Sequence, residues 1–158
     1  MMWLVHSQRV VLCIVVSFCF SVASQAGVSF PKLTGQVVDG AGLLSPRTEK
    51  KLAQQLAAHE NATSNQVVVV TLKNLQGYSI EEYGYQLGRE WGIGQKGKNN
   101  GVLLIIAKAE RKVRIEVGYG LEGILTDAIS ANIIHSVMRP AFKKRQFDSG
   151  ISAGASAI

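Results

Sequence analysis

The chain has 158 residues, with 17 lysines and arginines against 11 acidic residues, a net charge of +6 and 47% hydrophobic residues. That length suits one domain with a single core. Both cysteines, Cys13 and Cys19, fall in an N-terminal targeting segment, so the mature chain excludes disulfides, thiolate catalysis and cysteine metal sites.

Residues 1–26 read as a signal peptide. Arg9 provides a basic start, residues 10–23 are apolar apart from Ser17 and Ser21, and Ala23, Ser24 and Ala26 suit cleavage after Ala26. The run is shorter than the roughly 20 residues that span a bilayer as a helix. An uncleaved anchor is the competing reading. The expected location is exported, periplasmic or secreted, with membrane association open. Residues 27–158 form the single expected domain. Without Arg9 it carries 16 basic and 11 acidic residues, with the basic excess at residues 96–98, 108–114 and 139–145. Such a charge suits an anionic surface. No aromatics interleave the basic residues as a nucleic-acid platform requires, so no nucleic-acid partner is expected.

Residues 27–34 look extended, and Pro31 blocks an early helix. The stretch V-V-D-G-A-G-L-L-S-P then leads into a helix with Ser45 as N-cap and Pro46 in its first position. Leu52, Leu56 and His59 share one face of that helix, and N-A-T-S-N ends it. The run Q-V-V-V-V-T-L (66–72) predicts a buried strand. Residues 79–91 predict a second helix with Ile80, Tyr83, Leu87 and Trp91 on one face, and Gly84 and Gly88 allow close approach to a sheet. Residues 102–107 predict a central strand. Residues 112–117 alternate strictly, as in a strand with one face in water. The polar link 108–111 makes these two an antiparallel hairpin. A third helix starts at a capping Asp127, carries Ile129, Ile133, Val137 and Met138, and stops at Pro140. Residues 148–158 predict a last helix.

This order implies an α/β fold: a three-layer α/β/α sandwich on a short mixed sheet, with one parallel crossover and one antiparallel hairpin. The loop before the second strand and the loop after the third then lie at the same sheet end.

Two glycine patterns sit in those loops. Gly92, Gly97 and Lys98 fit GxxxxGK, but the loop follows a helix and opens a strand, and Asn99 stands where a magnesium-binding hydroxyl belongs. Gly118, Gly120 and Gly123 fit GxGxxG, yet no parallel strand or ribose-binding acid follows. A tight positive-φ turn explains them better. No nucleotide cofactor is expected. His59 and His135 lie far apart on predicted helices, and no nucleophile elbow is present. What remains is oxygen ligands: Asn99, Asn100, Glu122 and Asp127 could hold a hard divalent cation such as calcium. The alternative is that Asp127 caps its helix and the asparagines turn the chain. Asp39 is a further candidate. Simple topology sets it at the other sheet end, where it would cap the turn at residues 41–44.

The motifs V-V-D-G-A-G-L-L-S (37–45), W-G-I-G (91–94), K-N-N-G-V-L-L-I-I-A (98–107), R-K-V-R-I-E-V-G-Y-G-L-E-G-I-L-T-D (111–127) and P-A-F (140–142) resemble the TPM domain. That domain occurs in thylakoid-lumen phosphatase-like and photosystem II repair proteins and in many exported bacterial proteins. The resemblance spans essentially the whole mature chain. It implies an α/β/α sandwich, calcium or another divalent cation in some members, and a weak acid phosphatase activity in plant relatives. Carried onto this sequence, the acidic positions are Asp39, Glu122 and Asp127, with Asn99 and Asn100 nearby. Two functions are expected from it. The first is a non-catalytic envelope module that binds calcium and assists membrane-protein assembly or repair, with a membrane protein or membrane surface as partner. The second is a metal-dependent phosphatase acting on phosphomonoesters, with Glu122 or Asp127 as the catalytic base.

Overall fold

A computed structural model describes residues 27–158; the predicted signal peptide lies outside the described residues. In chain order the elements are β1 (Val37–Asp39), α1 (Pro46–Thr63), β2 (Gln66–Leu72), α2 (Ile80–Trp91), β3 (Gly101–Ala107) and β4 (Lys112–Val117). A 3-10 turn (Tyr119–Leu121), α3 (Asp127–Asn132), a π-helical segment (Ile133–Met138), α4 (Arg139–Lys143) and α5 (Phe147–Ala157) follow. The sheet runs β1-β2-β3-β4, with β1, β2 and β3 parallel and β4 antiparallel to β3.

Every residue of β3, and residues 67–72 of β2, are buried. Aliphatic runs of this kind need cover on both faces. Val37, Val67, Val69, Leu104 and Ile115 face a core built with Leu52 and Leu56 of α1, Ile133, Met138 and Ile151. Val38, Val68, Val70, Leu103 and Ile105 face Ile80, Tyr83 and Leu87 of α2. The expected three-layer sandwich is present. It has two parallel crossovers rather than one, because β1 is a strand that the sequence does not announce: three residues are too few to display a period. Both crossovers advance the same way across the sheet, yet α1 and α2 lie on opposite faces. The crossovers are therefore of opposite hand, whereas such connections are right-handed in about 98% of cases.

The helix starts follow the sequence. Ser45 Oγ accepts the Thr48 N–H at 3.3 Å, with Pro46 directly after it, and Ser79 Oγ accepts the Glu82 N–H at 3.1 Å. Three departures have physical causes. The third helix is capped by Thr126, whose hydroxyl accepts the Ile129 N–H, and Asp127 is its first residue. Pro140 does not stop that helix, because the π-helical segment before it, closed by a bond from the Arg139 N–H to the Ile134 carbonyl, widens the turn where the ring would clash. The polar face of β4 is not open to water but half-covered by α2. There Arg114 lies 4.0 Å from Glu81 and pairs with Glu116. Gly84 makes that packing possible, since a Cβ there would come within 2.7 Å of Ile105 Cδ1; Gly88 borders open space. His59 is exposed instead of joining the face of Leu52 and Leu56.

Tyr83 is 1% exposed beneath an extended N-terminal strap, where Phe30 meets its ring edge-on at 5.2 Å. Burial raises the pKa of its hydroxyl above the ordinary value, with a Gln76 hydrogen bond pulling the other way. The stability this supplies is complete below the unfolded phenol value of about 10 and is lost as pH rises through the higher folded value. Thermal melts from neutral pH to about pH 11 should therefore show a steeper alkaline loss for wild type than for Tyr83→Phe. Equal slopes would contradict this reading.

Candidate functional site

The loop before β3 and the loop after β4 meet at one sheet end, backbone against backbone. The Gly118 N–H donates to the Gly101 carbonyl at 2.7 Å, and the Gly120 N–H donates to the Asn99 carbonyl at 3.1 Å. A Cβ on Gly118 would run into the Asn99 carbonyl oxygen, and one on Gly120 into that of Lys98. This close approach, not a positive φ, is why glycines stand there: Gly118 has φ −68°, and none of Gly118, Gly120 and Gly123 is in the left-handed region. Gly92 (φ 60°) ends α2 and Gly97 (φ 84°) turns the loop, which opens a strand. The GxxxxGK loop runs from the C-terminus of α2 into β3, so among the described residues it opens no helix and lacks the phosphate-cradling geometry.

The five predicted ligands separate into four groups. Glu122 and Asp127 are both exposed and line one cleft of about 490 Å³ between residues 114–117 of β4 and residues 122–128. Asn99 sits at the same sheet end, exposed, in a left-handed turn at φ 49°. Asn100 is buried and its side chain is committed. Its Oδ1 accepts the Gln95 N–H at 2.8 Å, and its Nδ2 donates to the Ser64 carbonyl at 2.6 Å and to Asn65 Oδ1 at 3.4 Å. It staples the loop to the α1–β2 link.

Asp39 is not brought to these residues. It pairs with Thr71, whereas Asn100 precedes the Gly101 that pairs with Gln66; the gap is about 16 Å of strand. It caps the turn the sequence suggested: Oδ1 accepts the Leu43 N–H at 3.0 Å and Oδ2 the Leu44 N–H at 2.8 Å, while the Thr71 hydroxyl donates to Oδ1. Thr71 in turn accepts the Ala41 N–H at 3.0 Å. It is fully buried, and a lone hydroxyl in the aliphatic run Q-V-V-V-V-T-L was the available signal for this role.

Among the described residues no group of three or more His, Cys, Asp and Glu side chains could hold a metal ion. A cation in the β4 cleft would rely on Glu122 and Asp127 together with backbone carbonyls and water, a ligand mix that calcium accepts. The cleft's one cationic side chain, Arg114, is engaged by Glu116 and Glu81. Three of the five exposed large hydrophobics among the described residues cluster around this segment: Tyr119 at 80%, Ile124 at 75% and Ile129 at 44%. Of the apolar residues read onto the third helix, Ile133 and Met138 are buried, whereas Ile129 faces outward.

A family model described as the TPM domain matches residues 37–158. The solution NMR structure of the N-terminal domain of a protein from P. gingivalis is similar over 78% of this chain and 79% of that one, with 39% identity and a TM-score of 0.73. The N-terminal domain of the cg2496 protein from Corynebacterium glutamicum shares the fold at 19% identity over 82% of this chain and 80% of that one, with a TM-score of 0.61. The BA42 protein from Bizionia argentinensis does so at 18% identity over 72% and 77%, with a TM-score of 0.62. No curated protein matches the chain.

The glycine contacts give a stability test. Gly118→Ala and Gly120→Ala should each cost about 1–3 kcal/mol in denaturant unfolding, the usual penalty for forcing atoms into a filled space. Gly123→Ala, which meets nothing within 4 Å, should stay within about 0.5 kcal/mol of wild type. Equal effects at all three positions would refute the close-approach account.

Proposed function

The chain belongs to the TPM-domain family, and we propose on that premise that it is an exported, divalent-cation-binding module without catalytic activity of its own, which assists assembly or repair of membrane proteins. The observation that carries this reading is the pairing of Glu122 and Asp127 along one cleft, with neither held in an ion pair among the described residues. Two exposed carboxylates lining one cleft can supply oxygen ligands to a hard cation. Their five-residue separation places one in the loop after β4 and the other at the first turn of α3, where flanking carbonyls and water can complete an oxygen shell. Calcium suits such a shell because it tolerates irregular geometry.

Hydrolysis of a phosphomonoester asks more of the site. The developing charge needs cationic side chains around the phosphoryl oxygens, and Arg114 is spent on two carboxylates. The cleft's one hydroxyl, Thr126, is engaged in capping α3. The carboxylates therefore support binding better than turnover.

Calcium titration followed by NMR tests the reading. Saturable shifts should appear in residues 118–128 at roughly 0.1–1 mM calcium, the range of extracellular modules, and should vanish in the Glu122→Gln, Asp127→Asn double variant. Absence of shifts at several millimolar calcium would remove the cation. Cation-dependent release of nitrophenol from its phosphate ester, abolished by the same double variant, would replace the proposal with a phosphatase.

A further inference from the structure

Among the described residues, the hydrogen-bond phase of the sheet leaves one edge of β4 open. The Gly118 N–H donates to Gly101, while the Lys108 N–H donates to the Leu72 carbonyl and the Asn100 carbonyl accepts from Gln66. Odd-numbered residues of β3 therefore direct their backbone groups at β4, and even-numbered ones at β2. Through the antiparallel register, Lys112, Arg114 and Glu116 exchange bonds with β3. Val113, Ile115 and Val117 then point their N–H and C=O groups away from the sheet. Such a row is a template for another strand. Natural edges are usually blunted by proline, a bulge or brevity, and β4 has no proline, keeps an unbroken register over six residues and is twice the length of β1.

The cleft beside this edge is bordered by Ile115 and Val117 on the strand side and by Glu122 and Asp127 on the other. Its volume of about 490 Å³ is open along four consecutive strand residues. We propose that an extended, basic segment of a partner protein docks in this cleft as a fifth strand on β4. Backbone hydrogen bonds to Val113, Ile115 and Val117 hold it in place, and its lysine or arginine side chains meet Glu122 and Asp127. An anionic lipid surface would find the exposed Tyr119 and Ile124, but it offers no ladder to the edge groups and is repelled by the two carboxylates. The observations favour the peptide. This names the partner for the cleft already proposed and rests on that reading in using the same two carboxylates, so calcium and the peptide's cations compete.

The test uses nitrogen-15-labelled protein covering residues 27–158 and a capped hexapeptide alternating valine and lysine, with its valine–glutamate counterpart as control. The lysine peptide should shift and protect the amides of Val113, Ile115 and Val117 from exchange, and millimolar calcium should weaken it. The Glu122→Gln, Asp127→Asn double variant should weaken it about tenfold. Val117→Pro, which removes an outward N–H and leaves the β3 ladder intact, should weaken it as well. Equal binding of both peptides, shifts away from β4, or sedimentation with phosphatidylglycerol vesicles and no peptide binding would overturn the proposal. Calcium binding without peptide binding sinks this inference alone, and peptide binding without calcium binding sinks the cation reading alone.

Discussion

The requirement that β2 and β3 be covered on both faces governs the rest of the architecture. Each is an aliphatic run whose alternate residues bury into different cores. Burying each such side chain is worth roughly 1.5–3 kcal/mol relative to exposure, so a single helix layer would forfeit half of that along both strands. Two layers follow, and with them the placement of α1 and α2 on opposite faces despite a sheet that advances in one direction. The hand of one crossover is subordinate to burial.

The same central strands fix where the loops of the candidate site are. Because β3 and β4 are antiparallel neighbours, the chain must enter β3 and leave β4 at one end. Gly118 and Gly120 then let the two loops lie backbone on backbone, and Asn100 ties the first loop to the end of α1. The loop carrying Glu122 is thus anchored at its start by these contacts and at its finish by the Thr126 cap. Between the anchors most side chains are exposed. A rigid frame with a short accessible span is the arrangement by which loops combine positioning with access to a ligand.

Much of this was legible from residues. The β-branched run at 66–72, the apolar run into residue 107 and the alternation at 112–117 carry their periods openly, and Ser45-Pro46 and Ser79 mark helix starts by a local hydrogen bond. The meeting of the loop before β3, with Asn99 and Asn100, and the loop after β4, with Glu122, followed from strand order alone. Other features depend on partners that no local pattern reveals. β1 is a strand only because β2 lies beside it. The Arg114 and Glu116 face looked solvated until α2 was seen to cover it. An asparagine in a glycine-rich loop reads as a turn residue or a ligand, and only the tertiary structure shows Asn100 spent on the α1–β2 link. Pro140 reads as a stop because the π-helical turn that accommodates it leaves no mark in the pattern.

The alternation of layers along the chain has a consequence for the order in which the protein completes itself. The α2 layer is closed by residues that end with β3, apart from the contribution of β4. The opposite layer is shared between α1, near the beginning, and the segment from α3 to α5, at the far end. A chain emerging from its N-terminus would therefore present Val69, Leu104 and Ile106 only partly covered, by α1, until α5 arrives. The two layers therefore close at different times: the α2 side can be completed once β4 is in place, and the opposite side only after the segment from α3 to α5 has joined α1.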